Sequence, residues 1–145
     1  MPGSMMLARR IKDAVIPATT GTMATYPTGA TNGIQLTSDG SSAGTFGSYV
    51  EVVAADTITS EFRITGVMVD SFSAATRVHI TVATGASSSE VAIGTFCVGV
   101  GATATAPMVN VSMPNIPANT RVAMKCSVQS GTGVTCRVAI NYVTV

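Results

Sequence analysis

The chain has 145 residues, 46% of them hydrophobic and only 10% charged, with a formal net charge of +1. Ordinary soluble domains carry about 25% charged residues; this balance excludes a charge-rich disordered chain, and no apolar run approaches the roughly 18 residues of a membrane-spanning helix. Val, Thr and Ile make up 49 of the 145 residues against 2 Leu, which excludes a mainly helical protein, because β-branched side chains suit pleated, half-buried surfaces.

Residues 1–46 predict an N-terminal arm. Leu7, Ile11 and Val15 recur every four residues, so 5–15 is expected to form a short amphipathic helix that persists only when docked. Pro17 ends it. From there to Gly47 the chain is Thr, Gly, Ala and Ser with Asp39 as its only charge, an extended segment ordered where it lies on another surface. One short strand, Gly33–Thr37, interrupts it.

From Gly47 to Val145 alternation predicts a β-sandwich domain. Tyr49–Val53 is a strand. Phe62–Ile64 and Val67–Val69 are in phase only if Gly66 marks a bulge. Arg77–Val82 places Val78, Ile80 and Val82 on one face. Val91–Val100 is apolar on both sides and predicts a central strand covered twice over. Met108–Met113 alternates, and Arg121–Val128 turns Val122, Met124, Cys126 and Val128 inward. Gly131–Gly133 turns the chain into Val134–Ile140. About eight short strands at this spacing, with turn signals between them, predict an all-β, antiparallel, jelly-roll-like sandwich.

Charge is unevenly placed. Residues 1–12 hold +3, residues 13–90 hold seven acids against Arg63 and Arg77 for −5, and Arg121, Lys125 and Arg137 leave the remainder at +3. Strands of opposite sign either pair inside one sandwich or bring subunits together. No dense basic patch with aromatics marks a nucleic-acid partner. Of three cysteines, Cys126 and Cys136 fall on the inward side of what reads as one hairpin, as buried thiols. The first residues lack a signal-peptide core, so synthesis in a reducing cytosol is expected.

Motifs of catalysis fail on context. Gly40-Ser-Ser-Ala-Gly44, with Asp70 and His79 downstream, matches a nucleophile elbow, but no strand–turn–helix surrounds it. Gly99-Val-Gly-Ala-Thr-Ala104 imitates a dinucleotide loop, yet Pro107 replaces the helix and no acid follows. His79, the single histidine, faces outward without ligand partners. Asp56, Glu61, Asp70 and Glu90 sit near strand ends and read as solvated carboxylates. No enzyme, metal or cofactor is expected. With no Trp and 3 Tyr, a glycan-binding module would lack its stacking platforms.

Gly47–Val53, Phe62–Gly66, Ala83–Ala86, Glu90–Gly94 and above all Ile116-Pro-Ala-Asn-Thr-Arg-Val-Ala123 together resemble a recurrent structural protein of tailed-phage virions. The resemblance implies a head decoration (cement) protein of jelly-roll type, commonly a trimer on the major capsid protein, located in the virion and made in the host cytoplasm. A tail or baseplate component and a glycan-binding receptor module are the alternatives. No catalytic residue follows from it. Within it, Ile116, Pro117, Asn119 and Arg121 form a turn, with Pro117 second and Asn119 closing, that feeds the next strand. Leu7, Arg9, Arg10, Ile11, Lys12 and Val15 are the expected contacts to the shell or to neighbouring subunits, set against an arm that does nothing.

Overall fold

The computed structural model of the chain describes residues 21–29, 33–99 and 108–145. They form nine strands: β1 (Met23–Tyr26), β2 (Ile34–Thr37), β3 (Val50–Val53), β4 (Phe62–Asp70), β5 (Arg77–Thr84), β6 (Val91–Gly99), β7 (Met108–Asn110), β8 (Val122–Val128) and β9 (Thr135–Thr144). Two antiparallel sheets result, one ordered β1-β9-β4-β7 with β2 also on β9, the other β3-β8-β5-β6.

The pairings nest. β5 pairs β6, β4 pairs β7, β3 pairs β8 and β2 pairs β9, as when one long hairpin is rolled into a barrel-like sandwich. That is the jelly roll. Its winding explains why turn signals were plentiful while only β5 and β6 make a tight hairpin: most connections cross from one sheet to the other.

Inward residues of both sheets interlock as the core. Leu36, Ile64, Val67, Val69, Val138 and Ile140 from one sheet meet Val78, Ile80, Val82, Val122 and Met124 from the other, all fully buried. Period-two alternation places them there. The bulge expected at Gly66 is present, since the β4–β9 register shifts between Ile64 and Gly66. At the base of the core, Phe62 meets Tyr142 edge-to-face at 5.7 Å and forms an isolated antiparallel bridge with Ile116.

Three sequence expectations are corrected. Val91–Val100 is not central: β6 is the outer strand of its sheet, and Val91, Ala92, Thr95, Cys97 and Gly99 are exposed. An uncharged run fits a doubly covered strand and an unguarded edge equally well, because periodicity reports faces and not edges. Cys126 and Cys136 are not on two arms of a hairpin, because β8 and β9 belong to opposite sheets. Finally, within the stretch read as an arm, Met23–Tyr26 is a strand, paired with Tyr26↔Ile140 through Met23↔Val143; its exposed and half-exposed Thr and Ala gave no core signal. The helix expected over 5–15 lies outside the described residues.

Candidate assembly surfaces

The turn before β8 is built by backbone. Ala118 and Asn119 form its corner, so it begins at Pro117, one residue later than the sequence suggested. Asn119 has φ 62°, the left-handed third position of a type II turn, which Asn tolerates. Its N–H donates to the Ile58 carbonyl at 2.8 Å, and its carbonyl accepts from the Asp56 N–H at 3.3 Å. Ile116, 1% exposed, anchors the near end by exchanging backbone hydrogen bonds with Phe62 at 2.7 and 3.0 Å. Pro117 is exposed.

Arg121 leaves this turn as the hub of a charged cluster. Its Nε donates to Glu51 Oε2 at 2.8 Å, and its Nη1 donates to Glu90 Oε1 and the Gly85 carbonyl, both at 3.0 Å. The cluster joins β3, the β5–β6 turn and the start of β8. Here opposite-sign segments pair inside one sandwich. Glu90 is held below the usual glutamate value by its own backbone N–H and then by Arg121, against partial desolvation. Nothing in the sequence pairs Glu51 and Glu90 with Arg121, because the roll brings them together from positions 31 and 70 residues away.

The edge of β6 carries the most apolar exposure in its sheet, with Val91 67% exposed. No charged residue occurs between Glu90 and Arg121. Edge strands of soluble monomers are usually guarded by Lys, Pro or inward charge; β6 has none of these. On the other sheet, Met68 and Met108 are cross-strand partners on the outward face, 36% and 44% exposed.

The outward face of the second sheet is cationic. Arg77 and His79 project from β5, and the Lys125 ammonium lies 4.3 Å from the Tyr49 ring centroid and 5.2 Å from that of Phe46. A shallow hollow of about 240 Å³ runs between Phe46, Arg77, His79 and Ser127. Lys125, Phe46 and Tyr49 were missed, since residue 46 lies outside any regular strand.

The hydrolase-like Gly40–Gly44 is a loop between β2 and β3 whose serines serve Asp39. Ser41 Oγ and the Ser41 and Ser42 N–H groups all donate to Asp39 Oδ1 at 2.7–2.8 Å, and the Ser41 hydroxyl foremost lowers the Asp39 pKa. His79 is exposed. Among the described residues, no group of three or more His, Cys, Asp or Glu is placed to hold a metal ion. Glu61 receives a hydrogen bond from Asn115 at 2.8 Å. Leu7, Arg9, Arg10, Ile11, Lys12 and Val15 lie outside the described residues.

No protein-family model and no curated protein matches the chain. Solved structures do show a likeness. The Gx strain of infectious bursal disease virus gives a TM-score of 0.48 at 14% identity, covering 88% of this chain and 32% of that one. The VP2 subviral particle of the same virus gives 0.47 at 12% identity, with 88% and 33% covered. The T13 viral particle gives 0.45 at 17% identity, with 86% and 31% covered. The chain spans about a third of the length of these chains.

Proposed function

We propose that this chain is a structural protein of a tailed-phage virion, a head decoration (cement) protein that binds and stabilises the capsid shell. The observation that carries the reading is the unguarded β6 edge: nine residues of uncharged, largely exposed strand on a chain with 10% charge. Such an edge is a liability for a free monomer and an asset for a subunit that lives against neighbours. The jelly-roll winding and the sequence resemblance centred on Ile116–Ala123 support the same reading.

In this reading the protein acts as a homotrimer on the head surface. Residues 5–16, with Leu7, Ile11 and Val15 for apolar contact and Arg9, Arg10 and Lys12 for charge, reach the major capsid protein. Many weak contacts per oligomer then add through multivalency.

Cryo-electron microscopy of purified virions tests this. Density for the jelly roll on the outer head surface is the expected result. Density on the tail or baseplate transfers the protein to that part of the particle, and absence from the virion overturns the proposal.

A further inference from the structure

Strand register builds the cationic hollow on the outward face of the second sheet. Arg77 and His79 are two residues apart on β5 and both exposed, so they share that face. His79 stands opposite Ser127 of β8, and Thr81 opposite Lys125. Directly opposed side chains on one sheet face start about 4.5–5.5 Å apart. The Gln129 N–H donates to the Arg77 carbonyl at 2.9 Å, which sets Gln129 beside Arg77. Half-buried Phe46 supplies an aromatic wall. Its ring and that of Tyr49 hold the Lys125 ammonium, at 5.2 and 4.3 Å from their centroids. Between these groups lies a space of about 240 Å³, with Ser127, 5% exposed, at its base.

No carboxylate answers this charge. Gly44–Val50, Arg77–Thr84 and Val122–Gln129, the segments around the hollow, contain neither Asp nor Glu. Both ion pairs among the described residues belong to Arg121. Asp39 lines a neighbouring hollow that shares Phe46, and its Oδ1 is taken up by Ser41 and Ser42. Like charges gathered on one sheet face repel one another, and a bound anion relieves that repulsion.

We propose that this hollow binds a small acidic sugar, a single pyranose-sized ring bearing a carboxylate or a phosphate. This goes beyond the virion reading and does not depend on it. The Arg77 guanidinium presents a planar fork that matches two oxygens of either anion. The His79 imidazole N–H is a second donor to the same group. The Ser127 hydroxyl and the Gln129 side-chain amide both donate and accept, as sugar hydroxyls require. Phe46 offers apolar surface to the C–H face of the ring. Lys125, pinned on its two rings, adds positive field from one side. The volume falls below the roughly 300–1,000 Å³ of sites for drug-sized molecules, which limits the occupant to one ring. Being shallow and open, the hollow is expected to bind with a Kd of about 1 mM.

The test is a titration of the full chain, labelled with nitrogen-15, followed by amide chemical shifts. Glucuronate, glucose 6-phosphate, inorganic phosphate and glucose are added separately at constant ionic strength. Saturable shifts centred on Phe46, Arg77, His79, Ser127 and Gln129 with glucuronate or glucose 6-phosphate are expected; which of the two binds more tightly identifies the anion. Arg77→Ala, at an exposed position, should weaken that binding about tenfold or more with circular dichroism unchanged. Arg63→Ala removes an exposed arginine from the other sheet and should leave the affinity as it was. No saturable shift with either acidic sugar overturns the proposal, as does equal loss in Arg63→Ala. Glucose binding as tightly as the acidic sugars removes the anion from recognition, and inorganic phosphate binding as tightly removes the sugar ring; either result also overturns it.

Discussion

The backbone N–H of Asp56 donates to the carbonyl of Asn119 at 3.3 Å, and both residues hold left-handed backbone, φ 64° and 62°. Two tight turns, one after β3 and one before β8, are thus stitched corner to corner at one end of the sandwich. β3 and β8 are also antiparallel neighbours in their sheet, with Val53 opposite Val122, so the contact closes one end of that strand pair.

Asn119→Pro breaks this corner. Proline locks φ near −65° and has no N–H, so the left-handed conformation and the 2.8 Å bond to Ile58 are both lost. The expected loss is on the order of 3 kcal/mol in urea unfolding. Asn119→Gly, which adopts positive φ freely, stays within about 0.5 kcal/mol of the parent. Equal midpoints for parent and proline variant would remove the turn from any role in stability.

Gly47 is needed for close approach. It donates its N–H to the Cys126 carbonyl at 2.9 Å, and a Cβ there would collide with the carbonyl oxygen of Thr37. The segment before β3 lies against both β8 and the end of β2, with no room for a methyl group. Gly47→Ala is expected to cost about 1–3 kcal/mol by the same unfolding measurement.

Arg121→Ala leaves Glu51 and Glu90 without their cation and should lower the urea-unfolding midpoint at neutral pH. The pH dependence has a definite sign. Glu90 titrates lower in the folded chain than its ordinary value of 4.5, so the unfolded state binds the proton first as pH falls. Its contribution is full above that value and is lost as pH drops through the lower folded value. Glu90→Gln should flatten the acid limb of a stability–pH curve, and an unchanged limb would show that the acid sensitivity arises elsewhere.

Most of the jelly roll was legible in the sequence because its core obeys period two: Val78, Ile80 and Val82, or Val122, Met124 and Cys126, announce their faces without any tertiary information. What was illegible depends on which strands become neighbours. Phe96 and Val98 sit in a run apolar on both faces, as a central strand would be, yet among the described residues β6 pairs with β5 alone. Cys126 and Cys136 are ten positions apart and read as a hairpin, whereas the roll sends them to opposite sheets. The Glu51–Arg121–Glu90 cluster has no local signal at all. Pairing across the roll is a property of winding, not of neighbours in the chain.

The β6 edge should govern self-association. Light scattering at micromolar concentration is expected to find an oligomer. Thr95, exposed and bonded to Thr81 at 2.9 Å, lies in the middle of the strand; Thr95→Lys places a charge there and should reduce the oligomer while circular dichroism stays unchanged. A parent chain that remains monomeric would show the edge to be harmless in solution.

The proposed anchor is separable from the fold. The first described strand begins at Met23, so deletion of residues 2–16 should leave the melting transition of the sandwich intact. Those residues carry Arg9, Arg10 and Lys12 against Asp13 alone, together with the apolar repeat of Leu7, Ile11 and Val15. If they reach the shell, the truncated chain should occupy capsids stripped of the native protein less fully than the intact chain. Binding of the intact chain should also weaken with added salt, because exposed charge pairs are screened over about 8 Å at physiological ionic strength. The apolar contacts do not share that sensitivity, so a residual salt-independent occupancy measures their part. Equal occupancy by both chains at every salt concentration would place all shell contacts on the β-domain.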